Sequence, residues 1–145
     1  MSRTLNRDEQ LALLAEVRIG VLSVASIRPD RGPLAVPIWY SFEPERGISI
    51  VTDRDSQKGR AIQAAGRFGM VVQHEAMPYR YVSVEGPVIE DRPMDPERDL
   101  KPLAQRYLGT HLGDLYTAAM SVLGPTTFVF TMRPETWLSY TEAAA

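Results

Sequence analysis

The chain has 145 residues, of which 44% are hydrophobic, and its formal net charge is −2. This size and composition predict one globular domain, residues 1–145, with a hydrophobic core, and the balanced charge lacks the basic surface that nucleic-acid binding needs. Cysteine is absent, which excludes disulfides, thiolate metal sites and a catalytic thiol.

The chain begins with a helix signal and shows no targeting signal. The segment MSRTLNRDEQ is charged and lacks the apolar stretch of a signal peptide, and no apolar run is long enough to span a membrane. We therefore expect a soluble, cytoplasmic protein. Asn6 predicts a helix start, because asparagine is a favoured capping residue and Glu9 follows at capping-box spacing.

Strand-like segments follow. Ile19–Ile27 is rich in Val and Ile, and a turn at 28–32 leads to a second strand, Pro33–Phe42. Pro37 lies inside this second strand. Because proline cannot donate a backbone hydrogen bond, it indicates a sheet edge, a bulge or a missing partner strand. A turn at 43–47 then leads to a third strand, Ile48–Thr52.

The rest of the chain mixes short helices with strands. Lys58–Ala65 is predicted as a helix that ends at Gly66. Pro102 is expected to kink or restart a later helical stretch. The remaining segments are strands four and five, two helical stretches, a sixth strand and its possible extension: Phe68–His74, Tyr79–Asp91, Pro96–Leu108, His111–Leu123, Thr126–Thr131 and Glu135–Tyr140.

The order of these elements predicts a fold class. Five strands come early with only short connections, which favours antiparallel pairing, and one strand returns after a helical excursion, which is a common way to close a barrel. A doubly wound parallel sheet fits poorly because a helix does not follow each strand. We therefore expect a mainly β (α+β) fold, a six-stranded antiparallel barrel with short peripheral helices.

The best local candidate for chemistry is the segment from Thr52 to Arg60. A strand ends there, a polar turn follows, and a helix begins whose free N–H groups can hold a phosphate. Ser56 and Lys58 would add a donor and a charge. Three such bonds at about 2 kcal/mol each give roughly 6 kcal/mol, less than the ~8 kcal/mol of a micromolar ligand. A ring system would have to supply the rest; the alternative is that Ser56 only caps the helix and Lys58 is solvated.

Other candidates are weaker. Trp39, Tyr81 and Trp137 lie near strand ends and suit either ring contact or ordinary packing. His74 and His111 are the only histidines, and they lack metal-ligand spacing. The sequence shows no G-x-G-x-x-G or Walker motif, no acid–base pair and no nucleophile arrangement, so no catalytic residue is assigned.

Together these motifs resemble the pyridoxamine 5′-phosphate oxidase-like split barrels, which include FMN-binding proteins and F420-dependent (deazaflavin) reductases. The resemblance covers about residues 7–140. An opening helix and four segments carry it: IGVLSVAS (19–26), PLAVPIWYSF (33–42), ISIVTDRDSQKGRAI (48–62) and RYVSVEGPV (80–88). The Ser-x-Lys turn and the Arg-x-Val-x-Val-x-Gly strand are moderately specific by themselves and fairly specific in this order.

The resemblance implies a homodimer with two cofactor sites at the subunit interface. By motif, Ser56 and Lys58 match the phosphate-binding residues, and Thr52 would lie beside the ring or the phosphate. The backbone of residues 37–39 (Pro37, Ile38 and Trp39) would pass along the ring. Tyr81 matches a polar flavin contact, and Trp137 matches an aromatic residue that approaches from the partner subunit.

The chain also departs from the oxidases proper. Their second strand opens and closes with basic residues, whereas LAVPIWY has neither, and their substrate-binding arginine is not recognisable after Trp137. The VPIWY pattern looks more like the reductase branch. Only two of the 16 basic residues, Lys58 and Lys101, are lysine, which suggests a GC-rich, actinobacterial type of genome. We therefore expect F420 rather than FMN.

The implied activity is hydride transfer from a reduced deazaflavin or flavin to a small organic acceptor. The sequence identifies no proton donor, and the proton could come from solvent. Three alternatives stay open at this point: an FMN-binding protein of the same fold, a non-catalytic cofactor carrier or sensor, and a dimeric scaffold with an empty site. A haem-handling split barrel is disfavoured because neither histidine has a haem-ligand setting.

Overall fold

The computed structural model describes residues 2–122 and 124–142, and within them it has three α-helices, a π-helical turn and eight strands. The helices are α1 (Arg7–Ala15), α2 (Gln57–Ala65) and α3 (Lys101–Met120), and the π-helical turn is Pro96–Leu100. The strands are β1 (Gly20–Val24), β2 (Leu34–Ile38), β3 (Ser41–Glu43), β4 (Gly47–Asp53), β5 (Arg67–His74), β6 (Arg80–Pro93), β7 (Thr127–Met132) and β8 (Thr136–Thr141).

The strands form an antiparallel split barrel. Their order is β2-β1-β5-β6-β7-β4-β3, and β8 pairs with β6. The two end strands, β2 and β3, are consecutive in the chain and are separated only by residues 39–40, so the sheet curls until its ends meet. The first half of β6 pairs with β5 and β8, and its second half pairs with β7 beyond a bulge between Val88 and Glu90. This change of partner strands along β6 splits the barrel into two sheets that share β6.

The core lies inside the curled sheet. Alternate residues of β1, β4, β5, β6 and β7 point inward, as the period of two requires. Helix α1 contributes Leu13 and Leu14, and α2 contributes Ile62, to the same cluster. Its largest fully buried side chains include Tyr40, Phe130, Leu22, Ile48, Ile50, Met70, Met132, Val72 and Val82.

The predicted helix ends are confirmed. The Asn6 side chain accepts from the Glu9 amide at 2.9 Å, and the Glu9 carboxylate accepts from the Asn6 amide at 3.0 Å, which completes the capping box. Ser56 caps α2 by accepting from the Gly59 amide at 3.1 Å. Gly66 ends α2 in the left-handed region at φ 69°, where glycine has no steric penalty.

The predicted count of six strands was too low. The expected second strand forms two strands, and the expected extension of the sixth strand is a strand of its own. Expected strand two, Pro33–Phe42, breaks into β2 and β3 at Trp39 and Tyr40. The break arises because the Tyr40 amide donates to the Tyr107 hydroxyl at 3.2 Å, while the Tyr40 hydroxyl donates to the Leu14 carbonyl at 2.7 Å. Pro37 lies on an edge strand, as predicted, since β2 pairs only with β1 among the described residues.

The predicted segment Glu135–Tyr140 forms a separate strand, β8, and not an extension of β7. The connection between them crosses β6: the Glu135 amide donates to the Glu85 carbonyl at 2.8 Å and the Arg133 amide donates to the Pro87 carbonyl at 3.0 Å. Between these two bonds lies Gly86, where a Cβ atom would collide with the Arg133 carbonyl. The glycine of the Arg-x-Val-x-Val-x-Gly segment therefore allows the crossing.

The two predicted helical stretches, Pro96–Leu108 and His111–Leu123, are both helical over their described residues, apart from a short break at Gly109. The segment expected from Pro96 begins as the π-helical turn and becomes α-helical at Lys101, with Pro102 in the first turn of α3. Gly109, at φ 81° and ψ 171°, divides α3 into the two stretches that were expected. Leu123, the predicted end of the second stretch, lies outside the described residues. No helix in the described part of the chain has the length and apolar character needed to cross a membrane.

Candidate functional site

Among the described residues, β2 and the end of β4 each have an edge without a neighbouring strand. Strand β2 is paired on one side only, and β3 pairs with residues 47–49 of β4, so residues 50–53 of β4 lack a partner strand on that side within the described residues. Helix α2 follows directly from β4 and lies near the start of β2. The edges and the helix start thus meet at one end of the split.

The turn between β4 and α2 is tightly organised by its own hydrogen bonds. The Asp53 carbonyl accepts from the Ser56 amide at 3.1 Å and from the Ser56 hydroxyl at 2.6 Å, and the Asp53 carboxylate accepts from the Asp55 amide at 2.8 Å. A Cβ on Gly59 would collide with the Asp53 carbonyl, so the close approach of turn and helix needs glycine. Ser56 is therefore a helix cap first, and its proton is directed at the Asp53 carbonyl.

The first turn of α2 offers free donors. The amides of Gln57 and Lys58 precede the first intrahelical bond, because the amide of Arg60 is the one that bonds to the Ser56 carbonyl, at 2.9 Å. The positive end of the helix dipole lies at the same place as these two N–H groups. Both features favour an anion at the start of α2, although the exposed Asp55 carboxylate nearby opposes it.

Three cations near this helix start have no partner among the described residues. Arginine and lysine side chains elsewhere in the described residues contact a carboxylate, a carbonyl, a side-chain amide or an aromatic ring. The three that do not are Arg31, Lys58 and Arg60. Two of them belong to α2, and the third belongs to the loop between β1 and β2, which packs near it. Positive charge without a partner in the described residues is therefore concentrated at one place.

A cavity of about 360 Å³ lies between this loop and α2. The polar lining residues are Ser26, Arg28 and Arg31 from the loop and Gln57 and Arg60 from α2. Three apolar residues complete the lining: Ile27, Leu34 and Ala61. Lys58 is not part of the lining. We call this cavity the arginine pocket.

The strand residues predicted to lie along a ring extend away from the turn. Pro37 and Ile38 lie at the far end of β2 from Leu34, about 10 Å and about 13 Å along the strand. Pro37 points outward and is exposed, whereas Ile38 is half-buried against the core. Thr52 is buried on the core side of β4 with 7% exposure, so its backbone borders the split and its side chain points inward.

The three predicted aromatic residues lie in three different surroundings. Trp39 stacks on Tyr107 of α3 with ring centroids 5.0 Å apart and an interplanar angle of 6°. Tyr81 stacks on Tyr140 at 5.9 Å, on the outer side of β6 and β8. Trp137 lies under α1, with the Arg7 guanidinium 3.9 Å above its ring. The chain therefore groups Ser56 and Lys58 at the turn but does not gather the aromatic residues around it.

A protein-family model described as pyridoxamine 5′-phosphate oxidase matches residues 7–140. The chain belongs to the pyridoxamine 5′-phosphate oxidase family. The match spans every element described above except the last residue of β8. No curated protein sequence matches the chain.

Solved structures share the fold of this pyridoxamine 5′-phosphate oxidase family member. A conserved hypothetical protein from Mycobacterium tuberculosis is 20% identical, with a TM-score of 0.71, over 94% of this chain and 85% of that one. An F420 reductase is 23% identical, with a TM-score of 0.60, over 88% and 94%. An FAD-binding protein from Mesorhizobium loti is 17% identical, with a TM-score of 0.61, over 97% and 96%. At these identities the likeness establishes the fold alone.

Sequence reasoning missed part of the cationic site in this family member. Arg31 was treated as a residue of a turn, and Arg60 only as the end of the phosphate-binding segment. No spacing rule connects Arg31 to α2, because the contact depends on how the loop between β1 and β2 packs on the helix. The available signal was weaker: the turn 28–32 carries two arginines against one aspartate.

Proposed function

We propose that the protein binds a phosphorylated flavin or deazaflavin, F420 first and FMN as the alternative, and transfers hydride to a small organic acceptor. The observation that carries this proposal is the group of unpartnered cations at the start of α2, beside free helix N–H groups. Membership of the pyridoxamine 5′-phosphate oxidase family and the fold shared with an F420 reductase and an FAD-binding protein support it.

The residues present fit a phosphate. Two amides, those of Gln57 and Lys58, and the Lys58 ammonium can each donate to it, and charge-assisted bonds are the stronger kind. The Ser56 hydroxyl keeps α2 capped while it donates to the Asp53 carbonyl; it would have to rotate to reach a ligand. We therefore assign the anchoring to the helix start and Lys58, and give Ser56 the role of positioning both.

The edge of β2 fits the ring part of such a ligand. Its unpaired backbone groups over Leu34–Ile38 lead from the arginine pocket toward Trp39, and Pro37 removes one N–H from that edge. When bound, the cofactor supplies the hydride chemistry, while the protein supplies position and exclusion of water. No side chain along this edge is placed as a proton donor.

Binding of the two cofactors in parallel tests the proposal. We expect F420 to bind with a micromolar or tighter Kd, measured by fluorescence or calorimetry, and Lys58→Ala to weaken it at least tenfold, because a charged hydrogen bond contributes about 1.5–3 kcal/mol. Lys101→Ala is the matched control, since Lys101 is the other lysine and pairs with Glu97 at 3.4 Å. The absence of binding of either cofactor to the folded protein would refute the proposal.

We further propose that the working form is a homodimer. The outer face of β2, β1, β5, β6 and β8 carries a row of mostly apolar residues, and no helix of the described residues crosses it. The row consists of Pro37, Val21, Val71, Ser83 and Leu138. Val21 is 38% exposed and Leu138 is 61% exposed. A second copy on this face would cover the row and reach the edge of β2, where one subunit leaves the predicted ring contacts incomplete.

Oligomeric state tests this part separately. We expect the wild-type protein to sediment as a dimer and Leu138→Lys to shift it toward monomer, because a buried ammonium at an apolar interface is costly. Leu115→Lys is the control: Leu115 is similarly exposed at 56% but lies on α3. A monomeric wild-type protein, or equal effects of the two substitutions, would contradict the assigned face.

A further inference from the structure

We propose that a cavity between α3 and the outer face of the sheet formed by β3, β4, β7 and the second half of β6 binds a small organic acid with one carboxylate and an apolar body. The cavity has a volume of about 500 Å³, and the π-helical turn completes its wall. Among the described residues that line it, none is a predicted cofactor contact. The inference therefore goes beyond the proposed function and does not depend on it. We call this space the α3 cavity.

Most of the charge in the lining of the α3 cavity is paired within the lining itself. The lining has four arginines and three carboxylates. Arg46 donates to Glu90 at 2.7 Å, and the two Nη atoms of Arg92 donate to the two oxygens of Asp99, each at 2.7 Å. Glu90 also lies 3.2 Å from Arg92. These four side chains form one continuous ionic network, in which positive and negative charge balance.

Three charged side chains of the lining remain outside this network: Arg98, Arg106 and Glu43. Arg98 is 61% exposed and reaches only Asp99, at 4.0 Å, a carboxylate that is already paired. Arg106 Nη2 donates to the Glu16 carbonyl at 2.7 Å, whereas its Nη1 makes no hydrogen bond within the described residues. Glu43 is exposed and forms no ion pair there. The lining thus has one net positive charge, which one carboxylate of a ligand would neutralise.

The guanidinium of Arg106 is already held in place for such a ligand. Its Nη2 is anchored on a backbone carbonyl, and the group lies 5.3 Å from the centroid of the buried Tyr40 ring. A guanidinium donates through a planar fork that matches the two oxygens of a carboxylate. Ser41 adds a hydroxyl to the lining that makes no hydrogen bond among the described residues. Donors for a carboxylate are therefore present without rearrangement of the ionic network.

The uncharged part of the lining is mostly apolar. Val51 of β4 and Val129 of β7 are paired in register, so their side chains lie side by side on the outer face of the sheet. Pro102 and Leu103 of α3 and Phe42 of β3 complete the apolar lining. Pockets of this kind, apolar with a few convergent polar groups, are typical of small-molecule sites. The apolar surface would be covered by a ring or a short hydrocarbon chain.

The balance of charge narrows the class of ligand. A neutral ligand would leave the charges of Arg98 and Arg106 without a partner. A ligand with several negative groups would be repelled by Glu43 and by the carboxylates of the ionic network. A single carboxylate on an apolar body avoids both costs.

Binding of three simple acids to the cofactor-free protein tests the proposal. Benzoate, cinnamate and hexanoate are compared with the amides of the same acids, which lack the charge, and with acetate, which lacks the apolar body. We expect at least one of the three acids to bind with a millimolar or tighter Kd by calorimetry, and its amide and acetate to bind at least about tenfold more weakly. Backbone amide shifts should concentrate at residues 41–51, 90–106 and 129. The absence of binding by all three acids, or equal binding of acid and amide, would overturn the proposal.

Two substitutions locate the bound acid. Arg106→Gln removes the anchored charge and should weaken binding about tenfold, because charge-assisted hydrogen bonds are the stronger kind. Val51→Phe fills the cavity from the strand and leaves every charge of the lining intact, so it tests the site even if Arg106→Gln does not fold by circular dichroism. Arg133→Gln is the matched control for net charge, since Arg133 is exposed and lies beside Glu135.

The pattern across the variants decides the position of the site. Loss of binding in Val51→Phe with wild-type affinity in Arg133→Gln supports the α3 cavity. Binding that survives Val51→Phe, or that falls equally in Arg133→Gln, would overturn the assignment. No cofactor is present in these titrations, so their failure leaves the proposed function standing, and failure of F420 and FMN to bind leaves the α3 cavity standing.

Discussion

Replacement of Tyr40 by phenylalanine tests how the break between β2 and β3 is held. The Tyr40 ring is fully buried, and its hydroxyl donates to the Leu14 carbonyl at 2.7 Å. Leu14 lies in the last turn of α1, where carbonyls have no intrahelical partner. Tyr40→Phe leaves this buried carbonyl unsatisfied, which costs about 1–3 kcal/mol. For a domain of 145 residues we expect the Tm to fall by about 3–10 °C.

Urea unfolding and calorimetry at neutral pH measure this cost. Tyr116→Phe is the matched control, because the Tyr116 ring also packs on Trp39, at 5.3 Å, but no hydrogen bond of its hydroxyl occurs within the described residues. We expect the control to change stability by less than about 0.5 kcal/mol. If the two variants lose the same stability, the Leu14 carbonyl does not depend on Tyr40, and the Tyr40 hydroxyl does not help to hold the break.

The same variant has a signature at high pH. Burial raises the pKa of Tyr40 to about 12 from an ordinary value of 10.0. The folded state retains the Tyr40 proton more strongly than the unfolded state. The stabilisation that the protonated Tyr40 hydroxyl contributes is therefore complete below pH 10 and is lost as the pH rises from 10 to 12. The stability difference between the wild-type protein and Tyr40→Phe should therefore narrow across that range. A difference that stays constant to pH 12 would contradict the burial of an ionisable hydroxyl at this position.

Two further predictions concern helix ends. Gly66→Ala should lower the free energy of unfolding by about 1–2 kcal/mol, because φ is 69° there although the space for a Cβ is open, whereas Gly32→Ala, also in open space, should be nearly neutral in urea unfolding. Hydrogen bonding to Arg3, and then to the Asn6 amide, lowers the pKa of Glu9 to about 2 from 4.5. The stabilisation by the Glu9 carboxylate should be present above pH 4.5 and lost as the pH falls toward 2. Acid unfolding curves of the wild-type protein and Glu9→Gln should therefore converge near pH 2. As the control, a Glu75→Gln variant, changed at an exposed residue, should follow the wild-type protein throughout.

Local rules predicted those parts of the fold that local physics decides. The capping box at Asn6, the cap at Ser56 and the stop at Gly66 each depend on a few neighbouring residues, and all three are confirmed. The strand count failed where a distant residue intervenes: the amide of Tyr40 leaves the sheet ladder for the hydroxyl of Tyr107, which lies 67 positions away. The alternation of side chains between the two faces of Pro33–Phe42 does not indicate that bond.

The candidate site divides in the same way. Ser56 and Lys58 follow from a strand–turn–helix pattern, and the structure brings them together at one turn. Arg31 and Arg60 become a pair only because the loop between β1 and β2 packs against α2, and a sequence pattern does not encode that contact. The aromatic predictions remain untested, since Trp39, Tyr81 and Trp137 lie in separate surroundings within the chain. Their assembly around a ring would require the proposed homodimer.

The position of the site follows from what the barrel leaves unsatisfied. Exposed strand edges are normally avoided because their N–H and C=O groups can pair with other chains. Here β2 presents such an edge, partly blunted by Pro37, next to free amides of α2 and cations without partners. Each of these features has a polar group that the described chain does not satisfy. A ligand with a hydrogen-bonding ring and acidic groups would complement all three, and for that reason we assign binding to the split rather than to the better neutralised cavity beside Arg92 and Asp99.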